Sequence, residues 1–386
     1  MIYFDNAATS VHKPKEVSTA MLTALEYGNA GRGAHGHALL ATQILYNSRK
    51  VVSAFFCTNL SGVVFSSSAT NSINTAVLGL FSRQSGKPLH IISTVLEHNA
   101  VLRPLYYLQH LQGLELSFVG VTTDGDLQYS DFEKYVQHNT KAVVITAASN
   151  VTGLVPNLKT VSSFCKKHGL LLIVDAAQSA GLVPISMEES GIDVLVFTGH
   201  KSLLGPPGTG GMCIAPHVEI QPQSFGGTGS NTFAKIQQFV LPDALEVGTQ
   251  NIPGIAGLAA GIEYITQFGI TNICETAKKY ALQFYEGISQ IEGVHIYTNI
   301  SLPYVPIITF NIRDMDSEEV AFLLSSEYGI SVRGGFHCAP LMHDALGTVQ
   351  QGAVRFSFSH LNTCQEVDMA VHAVMRIAKR SSCALQ

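Results

Sequence analysis

The stretch VFTGHKSLLGPPGTGGMCI, residues 196–214, sets two readings against each other. It holds a Gly/Pro-rich run of the kind that cradles phosphate, and it holds Lys201 just past an apolar, strand-like run. A P-loop needs a lysine for the β- and γ-phosphates and a serine or threonine for magnesium. With Gly205 as the first glycine of that motif, Gly211 falls where the lysine belongs and Met212 where the hydroxyl belongs. The glycines also lead into MCIAP, a strand pattern, whereas a P-loop opens a helix whose N-terminus holds the phosphates. The nucleotide reading fails, and Lys201 becomes the residue to explain.

Outward from this stretch, apolar runs bounded by turn residues recur at 62–67, 89–94, 114–120, 142–147, 170–175, 193–198 and 211–215. Helical patterns such as TNSINTAVLGLFS and LKTVSSFCKKHG fall between some of them. That alternation predicts an α/β fold with a mostly parallel seven-stranded sheet flanked by helices. Past about residue 255 the pattern changes to long helical stretches (254–290, 317–328, 365–380) beside a few strands, PIITFNI and GAVRFSF among them. This predicts a smaller α+β C-terminal domain. We expect an N-terminal segment, 1–14, packed on the small domain, a large domain over 15–265 and the small domain over 266–386.

Composition narrows the function classes. A net charge of -5 leaves no basic footprint for nucleic acid. Only 13% of residues are charged, against about 25% in ordinary globular chains, which points to extensive burial and a subunit interface. No window is apolar for the length a membrane helix needs, and MIYFDNAATS meets Asp5 before a signal-type apolar region forms. A cytoplasmic protein is the expectation. Seven cysteines without paired spacing argue against a disulfide framework and against a zinc site. The terminal CALQ formally fits a prenylation box at Cys383, but no polybasic run precedes it, so we read it as chance.

Open parallel sheets bind ligands beyond the carboxyl ends of their strands. Thr70, Glu97, His98, Asn150, Asp175, Gln178 and Thr198 to Lys201 all fall there. An aspartate closing the apolar run LLLIVD is costly unless it meets a partner; capping the next segment is the plainer role. Lys201, at the end of the following strand, tips the balance. A lysine and an aspartate on adjacent strand ends suit pyridoxal phosphate, the amine as covalent anchor and the carboxylate keeping the pyridine nitrogen protonated. SSSATNSIN, leading a strand into a helix, offers the phosphate backbone N–H groups and a helix dipole, and Thr198 and His200 stand ready to complete that cradle.

YFDNAAT, SSATNSIN, LEHNA, SNVTG, VDAAQ, TGHKSLLGPPGTGG, GTQN, RGGFHCAP and RFSFSHLNT follow in that order across nearly the whole chain. Together they resemble the cysteine desulfurase and selenocysteine lyase branch of class V aminotransferases, enzymes of pyridoxal phosphate fold type I. The resemblance implies Lys201 as the cofactor lysine, Asp175 as the pyridinium partner and His98 stacked on the ring and able to move protons. It implies Gln178 on the ring hydroxyl side and Asn150 at cofactor or substrate. Ala69, Thr70, Thr198 and His200 would bind phosphate. Thr249 would be donated by the neighbouring subunit of a homodimer, and Arg355 would clamp the substrate carboxylate.

Cys338, in VRGGFHCAP, is the discriminating residue. Most cysteines are inert, but its Gly-rich loop, with Arg333 and His337 nearby to activate the thiol, fits a nucleophile. The implied activity converts L-cysteine to L-alanine with a persulfide on Cys338, for transfer to an acceptor protein and iron–sulfur cluster assembly. L-Selenocysteine lysis, another class V reaction on a small amino acid, or a non-catalytic cofactor scaffold are the alternatives. The chain departs from the branch at Gly31, where a histidine often precedes Arg-Gly, and at Phe336, where the branch often reads His-His-Cys. Arg32, His35 and His37 either line the entrance or form a solvated loop.

Overall fold

The computed structural model describes residues 1–31, 33–82, 88–229, 232–237 and 239–383, the last three of these by backbone alone. In chain order the strands are β1 (Ile2–Tyr3), β2 (Val63–Ser66), β3 (His90–Thr94), β4 (Glu115–Val119), β5 (Thr140–Thr146) and β6 (Leu171–Asp175). They continue as β7 (Val194–Thr198), β8 (Gly210–Ile214), β9 (Val294–Ile296), β10 (Ile307–Ile312), β11 (Ile330–Ser331) and β12 (Val354–Ser357). Seven of them form one sheet in the order β2-β8-β7-β6-β5-β3-β4. Every pairing is parallel except the two made by β8. All seven predicted strands are present, with ends shifted by at most two residues.

Helices cover both faces, which is why these strands read as unbroken apolar runs. Ile92, Val143, Ile145, Leu172, Val174, Leu195 and Phe197 pack to one side with Leu258 and Ile262. Their neighbours Ile91, Ala142, Val144, Ile173, Val194 and Val196 pack to the other with Ile73, Val77 and Val101. The period of two sorts one sequence into two cores. Strand order reverses between β3 and β5, so the crevice for a ligand opens at their carboxyl ends.

A second sheet, β12-β10-β9, is antiparallel and packs Phe310 and Phe356 against Phe284, Leu324 and Val374 of three helices. The stretch predicted as one helical run, 254–290, is two helices, Ile252–Phe268 and Ile270–Ser289. Gly269 breaks it with φ +89°, a conformation that a side chain disfavours. The first helix packs on the large sheet through Ile255, Leu258 and Ile262, and the second on the small one through Ala281, Phe284 and Ile288. β1 pairs in parallel with β11. Phe4 follows it into the small-sheet core.

No helix among the described residues is long and apolar enough to cross a membrane. Cys57, Cys165, Cys213, Cys274, Cys338 and Cys364 are unpaired. Cys383 closes the last helix, Cys364–Cys383, and residues 384–386 of the CALQ sequence lie outside the described residues.

Candidate active site

His98 lies beyond β3, Asn150 beyond β5, Asp175 at the end of β6 and Lys201 beyond β7, and Ala69 and Thr70 open the helix that follows β2. With Gln178, Thr198 and His200 they line one cavity. Ala100, Ala148 and Ala177, with Ser68 and Thr146, complete its walls.

At one end Ser68 caps the helix Ala69–Phe81, its side chain accepting from the Asn71 N–H at 3.2 Å. The other first-turn N–H groups, with the helix dipole, favour an anion. Thr198 and His200 stand beside that helix start. β8 runs so close that a Cβ on Gly210 would meet the Phe197 carbonyl oxygen at 2.8 Å and the Ser68 carbonyl carbon at 2.9 Å. This glycine serves close packing beneath the anion cradle, which explains why the Gly-rich run resembles a phosphate loop without being one. Gly210→Ala is expected to cost about 1–3 kcal/mol through overpacking and to weaken retention of a phosphate-bearing ligand. Thermal unfolding and ligand titration of the variant check this.

At the other end the Asp175 carboxylate accepts the Ala177 N–H at 2.9 Å, so the capping role and the cavity-lining role coexist. Burial holds its carboxyl above the usual range, while the Ala177 N–H and Lys201 oppose that shift. Burial likewise lowers the Lys201 amine to about 8. Among the described residues no ion pair joins the two, which leaves the carboxylate free to face a third cationic group. His98 Nδ1 accepts the Ala100 N–H at 2.9 Å, so its proton sits on Nε2. Burial, then Lys201 and Arg333, hold that imidazole near 4, hence neutral. Gln178 donates to the Ala7 carbonyl at 2.9 Å.

Beneath this floor lies Glu97, fully buried, accepting from Thr94 Oγ1 (2.6 Å) and the Thr146 N–H (3.0 Å) while Oε2 has no partner. Burial raises its pKa to about 8 against two lowering hydrogen bonds, with the charge of Asp175 adding to the rise. Between pH 4.5 and 8 the folded chain therefore keeps a proton that the unfolded chain has lost, and stability falls as pH rises. Glu97→Gln should erase that slope, gaining on the order of a few kcal/mol on the parent at pH 8 relative to pH 4.5. Denaturant unfolding of both proteins at the two pH values measures it.

Arg355, 1% exposed, reaches the same edge from β12. It donates to the Asn150 carbonyl (2.9 Å) and pairs with Asp5 (2.9 Å). Arg355 Nε and Asn150 Oδ1 are buried without hydrogen-bond partners among the described residues. Cys338 is half-buried, and its carbonyl accepts the Asn99 N–H at 2.7 Å, docking the loop beside His98. Arg333 Nη2 lies 3.7 Å from its sulfur. His337 does not face the thiol as expected: it is buried, with Nδ1 on His343 (3.3 Å) and Nε2 on the Arg333 carbonyl (3.4 Å). Burial and Arg355 hold it neutral, so Arg333 alone of the two supplies charge.

Thr249 lies outside this cavity and lines another with Ser66, Asn71 and Thr75. Its segment is anchored by a buried, bidentate Arg49–Glu246 pair (2.8 and 2.9 Å), with the Phe65 N–H also donating to Glu246. His35 caps the helix Gly36–Phe55, accepting from Ala38, His37 is exposed, and Arg32 lies outside the described residues. Sequence reasoning assigned no role to Asp5, Ser10 or His343. YFDNAAT was visible as a motif, but the Asp5–Arg355 pair spans 350 residues and leaves no local signal.

Comparison with known proteins places these residues in context. The family model for aminotransferase class-V matches residues 2–369. A probable cysteine desulfurase of Pyrococcus abyssi is 33% identical, over 98% of this chain and 94% of that protein. Its counterpart in Methanothermobacter thermautotrophicus is 32% identical over the same shares. The apo structure of a cysteine desulfurase from Thermococcus onnurineus NA1 superimposes with a TM-score of 0.92, at 32% identity over 98% of this chain and 94% of that one. The S-sulfonic acid form of the cysteine desulfurase CsdA from Escherichia coli gives 0.88 at 26% identity, with the same coverage.

Proposed function

Because the chain belongs to the class-V aminotransferase family, we propose that it is a pyridoxal phosphate-dependent cysteine desulfurase that converts L-cysteine to L-alanine and leaves the sulfur as a persulfide on Cys338. One observation carries the reading: Lys201, Asp175 and His98 line a single cavity, and the Cys338 loop docks on the helix start beside His98. The residues present fit the cofactor. Ala69, Thr70, Thr198 and His200 would hold its phosphate, Asp175 its ring nitrogen, His98 its face, Gln178 and Asn150 its hydroxyl side, and Lys201 would be the covalent attachment point. When bound, it supplies an electron sink at the substrate α-carbon.

The protein's own residues do the rest. Arg355, whose buried Nε has no partner among the described residues, takes the substrate carboxylate, and the pair with Asp5 fixes the guanidinium plane that receives it. Lys201, with its amine near 8, exchanges a proton at the α-carbon close to neutral pH. Cys338 takes the sulfur: the substrate C–S bond breaks, an S–S bond forms, and the carbon ends protonated as alanine.

Thr249 is read as a residue given to the site of a second copy. Phe225, Phe233, Ile236, Phe239 and Val240 near its segment are exposed, an apolar surface that a homodimer would cover. A sulfur-acceptor protein, a place in iron–sulfur cluster assembly, a cytoplasmic location and the division at residues 14/15 and 265/266 belong to the same proposal. The two sheets have their own cores, but 265/266 falls inside the helix Ile252–Phe268, and Ile273, Ala339 and Met342 from beyond it pack in the large core, so the break at Gly269 is the better division.

The test is alanine and sulfide release from L-cysteine by the cofactor-loaded protein with a thiol reductant, with L-selenocysteine in parallel. Loaded protein that leaves L-cysteine untouched overturns the reading.

A further inference from the structure

Behind Cys338 the buried side chains of His337, His343 and Thr348 form a continuous chain. His343 Nε2 lies 3.3 Å from His337 Nδ1, with the two rings within 12° of coplanar, and His343 Nδ1 lies 2.7 Å from Thr348 Oγ1. His337 Nε2 faces the Arg333 carbonyl at 3.4 Å. A carbonyl only accepts, so His337 carries its proton on Nε2 and its Nδ1 must accept. His343 then donates through Nε2, and its Nδ1 accepts the Thr348 hydroxyl proton. Donation from Thr348 through His343 and His337 to the Arg333 carbonyl satisfies all four ring nitrogens, with the His343 carbonyl (3.3 Å from Thr348 Oγ1) and the Phe336 carbonyl as additional acceptors beside the chain. Burial, with cationic neighbours on the His337 side, keeps both imidazoles neutral, as this arrangement requires.

The chain ends where the loop is strained. His337 (φ +51°) and Cys338 (φ +56°) are consecutive non-glycine residues in the left-handed region, which persists only where surroundings over-determine it. The His337 carbonyl is held by Asn150 (2.7 Å) and the Cys338 carbonyl by Asn99. The Arg333 backbone is bridged to Arg355, its carbonyl accepting the Arg355 N–H at 2.8 Å, and the Gly335 N–H donates to Ser317 Oγ at 3.0 Å. The imidazole chain adds a side-chain tether to that same Arg333 carbonyl, on the residue whose guanidinium reaches the Cys338 sulfur.

We propose that His343 is a positioning residue for the sulfur-accepting thiol: by donating to His337 and accepting from Thr348 it locks the Arg333–Cys338 loop in its strained form. This rests on Cys338 as the nucleophile.

The test compares parent, His343→Phe and His343→Gln holoenzymes, with Thr348→Val as the variant of record should the phenylalanine form fail to fold. Glutamine restores one donor and one acceptor; phenylalanine fills the space with neither. The readout is the rate of Cys338 alkylation by iodoacetamide, followed by peptide mapping, beside kcat and KM for L-cysteine. The expected result is alkylation and kcat both lowered by about fivefold or more in His343→Phe, with KM unchanged and His343→Gln within about twofold of the parent. Alkylation unchanged or faster in His343→Phe, or glutamine as impaired as phenylalanine, overturns the proposal. Sulfide release persisting in Cys338→Ala would instead sink the nucleophile reading, and the alkylation comparison would stand apart from it.

Discussion

Cys338→Ala abolishes sulfide release from L-cysteine while leaving a folded, cofactor-loaded protein. The expected loss is at least about 10³-fold, since removing a covalent nucleophile deletes the step rather than weakening it. Among the described residues the Cys338 thiol hydrogen-bonds to Arg333 Nη2 and to no residue that would hold the cofactor, so cofactor absorbance and thermal stability should survive. Among the described residues no other cysteine is docked beside His98. Burial pushes the Cys165 thiol up to about 12 and the Cys213 thiol higher still, and a thiol that stays protonated is a poor nucleophile. Cys57 lines a separate cavity with Tyr46, Lys50 and His217, and Cys364 opens the last helix, whereas the Cys338 carbonyl is bonded to the Asn99 N–H beside His98. The measurement is sulfide and alanine from L-cysteine, with intact mass for a sulfur adduct of one atom. Alanine formation at the parental rate in the variant would assign the chemistry to another class V reaction and leave Cys338 without a role.

The large sheet was legible because its strands are buried on both faces, so LLLIVD and DVLVFT announce themselves as short apolar runs ending in polar residues. The same endings marked the site: in a parallel sheet His98, Asn150, Asp175 and Lys201 must emerge at one edge. Other parts left little trace. Two adjoining helical patterns hid the break at Gly269, since an isolated glycine within a helical run is tolerated as often as it terminates one. His337 read as a cation beside a thiol because a sequence gives proximity but not burial, and burial keeps the imidazole neutral. Asp5 and Glu97 are defined by partners across the fold, Arg355 for one and Thr146 for the other. Tertiary pairings of that kind have no period and no spacing to read.

Lys201→Ala removes the covalent anchor and should lower turnover by at least about 10³-fold, with cofactor still bound through the phosphate cradle but lost on dialysis. Three segments set this lysine in place. Ser10 Oγ donates to its carbonyl at 2.9 Å, the Leu204 N–H donates there at 3.0 Å, and the Gly199 N–H ties the strand end to Thr209 at 2.9 Å. Burial brings its amine to about 8, so above that pH it is mostly the neutral nucleophile, and below it increasingly a bare cation. Lys201→Arg therefore gives no rescue, because a guanidinium keeps its charge at any working pH. Borohydride reduction followed by peptide mapping decides the assignment. One other lysine competes on acidity: Lys13, also lowered to about 8 by burial, sits with Nζ 2.6 Å from Ser10 Oγ and 3.2 Å from the His200 carbonyl. Its amine is spent on those two oxygens and it does not line the cavity, whereas Lys201 faces Asp175 across it. Label on Lys201 in the parent and on no lysine in the variant supports the site; label on Lys13 would move the anchor to the N-terminal segment and overturn it.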